Sequence, residues 1–193
     1  MKNALLLFVS LFTFLFFISP LNAFELSLQT GYHFAGMNSG STFLHSGVDD
    51  TEFSGYCNLL EATYWVDDIG IYGFYGKDRT IEEKVRNSKY KASTYYLGVG
   101  LKYQFTLGIK DLYGQVGCGI TEGTLKHSYQ YHSERLSQYG LEGIAGFKYS
   151  LAEDYGLLLN FRYSSYRMKS TVWNKTYWKP GGGRLFAGIY FEF

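Results

Sequence analysis

Side chains alternate at every second position along most of this chain, and the alternation runs on for ten or more residues at a time. From Glu25 to Ala35, Leu26, Leu28, Thr30, Tyr32 and Phe34 share one face, while Glu25, Ser27, Gln29, Gly31, His33 and Ala35 share the other. A period of two over such a length specifies an extended strand with one apolar side. The pattern returns in Lys91–Gln104, Leu112–Thr121, Tyr139–Ser150, Tyr155–Ser164 and Arg184–Phe193. Ile69–Gly76 follows it more loosely. Phe53–Trp65 is strand-like, but its polar face slips at Leu59-Leu60, which reads as a bulge. Eight strands result.

The connections alternate too. Residues 66–68, 106–110 and 151–154 are short links; residues 37–51, 77–90, 122–138 and 165–182 are long and polar. Strict alternation of short and long puts every short link at one end of an antiparallel up-and-down meander. Ahead of the first strand, Met1-Lys2-Asn3 is a short basic start and Ala4–Ile18 is apolar except for Ser10 and Thr13. Ser19-Pro20-Leu21-Asn22-Ala23 then closes the segment. This is the layout of a secretory signal peptide, with cleavage expected after Ala23. Its apolar run is shorter than the roughly 17–25 residues of a spanning helix, and the absence of a cysteine near the cut argues against a lipoprotein anchor. Residues 1–23 are therefore assigned to the signal peptide and 24–193 to one domain.

A secreted chain of eight strands, each with an apolar face and a mixed polar face, fits an all-β, eight-stranded antiparallel up-and-down transmembrane β-barrel. Hydrocarbon offers no partner for a free sheet edge, so the sheet must close. The polar face would then line the interior. It holds the glycines and a set of charges of both signs: Glu25, Glu61, Lys102, Glu142, Lys148, Arg162, Arg184 and Glu192. Buried charges require partners, so these eight are expected to form a balanced cluster in the lumen. The rival architecture is a soluble secreted barrel with its apolar face inside, whose solvated outer face would have no need of so many glycines. Tyr64, Trp65, Tyr103, Tyr149 and Tyr155 near the short links, and Tyr32, Phe34, Tyr95 and Tyr163 towards the other end, read as two aromatic girdles. Charged residues make up 18% of the chain, below the roughly 25% of soluble domains. A net charge of +1 supplies no field for a nucleic-acid partner.

With these features, and with a terminal strand reading Gly183-Arg184-Leu185-Phe186-Ala187-Gly188-Ile189-Tyr190-Phe191-Glu192-Phe193, the chain resembles the small outer-membrane barrels of Gram-negative bacteria, the OmpX/opacity-type and OmpA-transmembrane-domain group. The resemblance implies a multi-pass protein of the outer membrane, surrounded by outer-membrane lipids. It also implies that the outer-membrane assembly machinery reads the aromatic C-terminal strand, which would make Ile189, Phe191 and Phe193 the assembly signal. A monomer is expected, with the four long connections available to a surface partner and no peptidoglycan-binding domain after the last strand.

Chemical motifs are sparse. Outer-membrane lipid A deacylases, which are similar in size and strand count, carry an Arg-x-x-His-x-Ser-Asn run. The nearest stretch here, Arg162-Tyr163-Ser164-Ser165-Tyr166-Arg167, has Ser where the His belongs, and a serine without a base is a weak nucleophile. His33 lies on an inward face; His127, His132 and Glu134 read as part of a solvated polar segment rather than a metal site. The strand glycines do not open onto a helix and form no dinucleotide fingerprint. Cys57 and Cys118 fall on strands that are not neighbours, so two free thiols are expected, Cys118 towards lipid. No catalytic residue, cofactor or metal is expected. Two functional readings follow: an integral barrel with a side-chain-filled lumen and long extracellular loops in a structural or surface-interaction role, or a lipid A-modifying enzyme or small-ligand carrier with a rim pocket.

Overall fold

The computed structural model describes residues 23–34, 55–80, 83–85, 88–129, 132–170, 176–179 and 182–193. Their strands are β1 (Phe24–Phe34), β2 (Gly55–Val66), β3 (Ile69–Thr80), β4 (Glu83–Val85), β5 (Ser88–Thr106), β6 (Leu112–Tyr129), β7 (His132–Ser150), β8 (Tyr155–Ser170), β9 (Thr176–Lys179) and β10 (Gly183–Glu192). Eight of them make the barrel. Each pairs antiparallel with the next in the order β1-β2-β3-β5-β6-β7-β8-β10, and β10 returns to β1. The short β4 and β9 extend the ladders of β5 and β8.

Closure fixes the stagger. Starting at Ala187, the ladder partners run Thr30, Asn58, Lys77, Tyr95, Thr124, Ser137 and Lys169. Ala187 itself pairs with Leu159 on the same β8, so one circuit displaces the register by ten residues along that strand. A closed sheet with such a shear has strands tilted by about 35–45°. At the short-link end the termini meet: Phe193 N–H donates to Phe24 O at 2.8 Å and Phe24 N–H to Phe193 O at 3.3 Å. Asp67, with φ of 53°, turns the β2–β3 link, and Asp111, with φ of 61°, ends the β5–β6 link; Asp tolerates this left-handed region better than most residues.

The two faces separate as the alternation requires. Leu28, Leu101, Ile120, Leu141, Leu159 and Ile189 point outward and are exposed, while Glu25, Gln29, Glu61, Lys102, Asn160 and Arg184 point inward and are buried. Close approach explains some inward glycines. A Cβ on Gly100 or Gly119 would lie 2.6 or 2.5 Å from the Tyr72 hydroxyl, so both must stay bare for that ring to occupy the interior.

Three expectations are corrected. The ladders of β2 continue without slip through Leu59 and Leu60 on both sides, so there is no bulge; Leu59 turns inward into an apolar layer with Cys57, Tyr72, Phe74, Tyr96, Ile144 and Phe186. Trp65 is inward and 6% exposed, and so belongs to the lumen rather than to a girdle. Tyr64 keeps to the outward face, in register with Phe24 and Ile71, where its neighbours cover it to 8% exposure. The stretches 77–90, 122–138 and 165–182 are mostly strand and not loop, carried in β3 to β9; residues 37–51 lie outside the described residues. The reason is geometric. Eighteen or nineteen residues in β5, β6 and β7 span about 60 Å at about 3.3 Å each, and rise about 45 Å at the barrel tilt, well beyond an apolar band of about 25 Å. Above the band neither face need be apolar, so hydrophobic alternation stops while backbone pairing continues.

Ile189 is outward in the lower half of β10, three residues from its short-link end. Ile189→Arg should therefore destabilise the folded protein by about 1–3 kcal/mol, between the midplane and interface costs of a lipid-facing cation, read from urea unfolding in lipid vesicles. Wild-type stability would contradict its placement towards hydrocarbon.

Candidate functional site

The interior is the most highly organised region of the molecule, and its polar groups fall in tiers along the barrel axis. At the short-link end, Lys148 Nζ donates to Glu25 Oε2 at 2.8 Å and also to Glu192, while Trp65 Nε1 donates to the same Glu25 oxygen at 3.1 Å. The Lys148 ammonium stands 4.2 Å from the centre of the Tyr190 ring. The Tyr190 hydroxyl in turn shares a 2.7 Å hydrogen bond with Ser150.

The next tier is built on Glu61. Lys102 Nζ donates to its Oε1 at 2.6 Å, and Arg162 reaches its Oε2 from across the barrel. Arg162 Nη1 donates to Glu142 Oε1 at 2.7 Å. One guanidinium thus joins carboxylates from β2 and β7, a planar fork that a lysine could not reproduce. Its plane lies against Phe74, 5.0 Å from the ring centre. Alongside, Asn160 Nδ2 donates to Gln29 Oε1 at 3.1 Å and Gln29 Nε2 to Ser27 Oγ at 2.9 Å.

Towards the long-hairpin end, Arg184 donates through Nε and Nη2 to Asp78 Oδ2 at 2.9 and 2.8 Å, and through Nη1 to Ser164 Oγ at 2.9 Å. Ser164 donates in turn to Glu142 at 3.4 Å, linking this tier to the one below. Arg184 also stacks over Tyr96 at 4.6 Å. His33, the ladder partner of Arg184, is buried beside it.

Glu25, Glu61, Lys102, Glu142, Lys148, Arg162 and Arg184 are all inward and nearly inaccessible, whereas the Glu192 side chain is 29% exposed at the rim. They gather into two ion-paired groups, plus Arg184, whose acidic partner Asp78 falls in 77–90, a stretch whose pattern reads as a polar connection. Continuing the alternation Tyr72, Phe74, Gly76 by one step would have placed Asp78 inward. The aromatic faces that receive the cations were also unforeseen as partners: Trp65, Tyr72, Phe74 and Tyr190. Ser164, next to the Ser165 that stands where the deacylase His belongs, serves as a hydrogen-bond link between Arg184 and Glu142.

On the outer surface Ile189, Phe191 and Phe193 face outward at 44%, 40% and 76% exposure, and Phe193 packs its ring 6.3 Å from that of Phe24. Cys57 is buried, Cys118 is exposed on the outward face, and both are free thiols. Among the described residues no group of His, Cys, Asp or Glu is arranged to hold a metal ion.

A model of the outer membrane protein beta-barrel domain matches residues 8–179. None of the curated proteins matches the chain. Among solved structures, the Neisserial surface protein A superposes with a TM-score of 0.64 at 16% identity, covering 89% of this chain and 97% of that one. OprG from Pseudomonas aeruginosa gives 0.64 at 17% identity, covering 88% and 95%. The attachment invasion locus protein Ail of Yersinia pestis, solved in complex with the heparin analogue sucrose octasulfate, gives 0.53 at 18% identity, covering 89% and 99%. At these identities the likeness is one of fold.

Removing one member of a buried pair leaves an uncompensated charge. Arg162→Met should lower stability by about 3–5 kcal/mol, and adding Glu142→Gln should recover part of that loss, since the two residues interact directly. Urea midpoints of the single and double variants test this coupling; strictly additive losses would contradict it.

Proposed function

Because the chain belongs to the outer membrane protein beta-barrel domain family, we propose that it is a non-enzymatic barrel of the outer membrane whose lumen is plugged by its own side chains. The observation that carries this reading is the Glu61–Arg162–Glu142 bridge, which spans the interior between β2, β7 and β8. An eight-stranded barrel is only wide enough for side chains. Here the tiers of Lys148, Lys102, Arg162 and Arg184, each laid on an aromatic ring, take up that width in turn between Glu192 and Asp78.

With passage blocked, function moves to the outside. The ladders that extend beyond the apolar band offer a rigid platform for contact with other surfaces, and the likeness to Ail and to the Neisserial surface protein supports a surface role. Residues 1–23 act as the export signal, removed after Ala23. The closing strand serves assembly through Ile189, Phe191 and Phe193, whose outward placement leaves them accessible to a folding machine while the strand completes the barrel.

Two measurements follow. In planar bilayers the purified protein should give no steps of open-pore conductance, and sustained steps of that size would contradict the plug. Deleting Phe193 should reduce the folded, heat-modifiable form in outer membranes far more than Phe193→Tyr; equal folded fractions would remove the assembly role.

A further inference from the structure

The ladder row that begins at Ala187 climbs as it circles the barrel. Ala187 is five residues from the short-link end of its strand, Thr30 six, Lys77 eight, Tyr95 eleven and Thr124 twelve. Its low end therefore faces hydrocarbon and its high end approaches the headgroups. The chemistry of the row changes with height.

At the low end, Ala187, Thr30 and Asn58 are small beside their outward neighbours. A groove of about 580 Å³ results, walled by Leu28, Leu60, Tyr75 and Ile189, with Lys77 in its lining at the upper side. Above it, Lys77 Nζ lies 4.8 Å and Lys126 Nζ 5.3 Å from the centre of the Tyr95 ring. Arg79 follows Lys77 on the same face, and Ser93 is the ladder partner of both Arg79 and Lys126. Among the described residues no carboxylate forms an ion pair with these three cations. Glu122 is the nearest acid on that face of β6, two residues below Thr124. Two ammonium groups share one ring, with Arg79 two residues further along the same face; the three like charges repel, and an anion between them would relieve that repulsion.

We propose that this face holds one phosphorylated lipid of the outer leaflet, its phosphate between Lys77, Arg79 and Lys126 and an acyl chain in the groove below Lys77. A lipid presents the same two chemistries in the same order of depth. The groove opens directly below Lys77, where an acyl chain would hang from a phosphate held by these cations, and cations at headgroup level add to the attraction one by one.

Native mass spectrometry of the full folded protein released from mixed micelles, with lipid A as the probe, tests the site. The wild type should retain one lipid A. The triple variant Lys77→Ala, Arg79→Ala, Lys126→Ala should bind at least about ten-fold more weakly, as should the wild type towards lipid A stripped of its phosphates. Ala187→Trp, which fills the groove, should weaken binding with the cations intact, and excess inorganic phosphate should not displace the lipid. Lys110→Ala, at the opposite end of the barrel, should bind as the wild type does. Heat-modifiability on gels establishes that each variant is folded, and the single variant Lys126→Ala substitutes if the triple is not. Wild-type retention by the cation variants, equal retention of dephosphorylated lipid, or indifference to Ala187→Trp would each overturn the proposal.

Discussion

The pairing of β10 with β1 is the interaction on which the rest of the structure depends. In hydrocarbon an unpaired strand edge leaves a row of N–H and C=O groups with no solvent to satisfy them, at several kcal/mol each. Closing the sheet removes both edges together. The pairing runs from Glu25 with Glu192 to Phe34 with Gly183, and it sets the ten-residue stagger and with it the tilt of every strand. It also decides which side chains meet in the interior, because Glu25 and His33 come from one side of the seam and Arg184 and Glu192 from the other.

Closure creates a second constraint. Inward side chains share a narrow column that excludes most water, so charges there must find each other or be destabilising. The tiers answer this with mixed chemistry. Carboxylates take the hydrogen-bonding edges of the cations, and Tyr190, Tyr72, Phe74 and Tyr96 take their faces. Interleaved with the charged groups is an apolar cluster in which Cys57, Leu59, Ile144 and Phe186 join three of these rings. The glycines facing these rings are part of the same solution, because Tyr72 occupies room that a Cβ on Gly100 or Gly119 would take.

Much of this was legible from the residues because the bilayer enforces a simple code. Where one face meets hydrocarbon, as in Leu157, Leu159, Phe161 and Tyr163, alternation is strict and the inward set follows from it. The code fails where that pressure is absent. Asp78 lies past the last strongly apolar outward residue of its strand, so its inward position had no hydrophobic partner signal. Leu59 and Trp65 mislead for the opposite reason: both are apolar but inward, one in the apolar layer and the other bonded through its indole N–H to Glu25. Partner choice was not legible at all. Arg184 and Asp78 are 106 residues apart, and only the stagger of the closed barrel brings them together.

Closure is most directly tested by amide hydrogen exchange in lipid vesicles across the seam, from Leu26 to Tyr32 on β1 and from Leu185 to Phe191 on β10. A closed barrel predicts protection there equal to that of the central ladder between β6 and β7, from Val116 to Thr121. Rapid exchange confined to the β1 and β10 amides, with β6 and β7 protected, would mean an open sheet and would contradict the account.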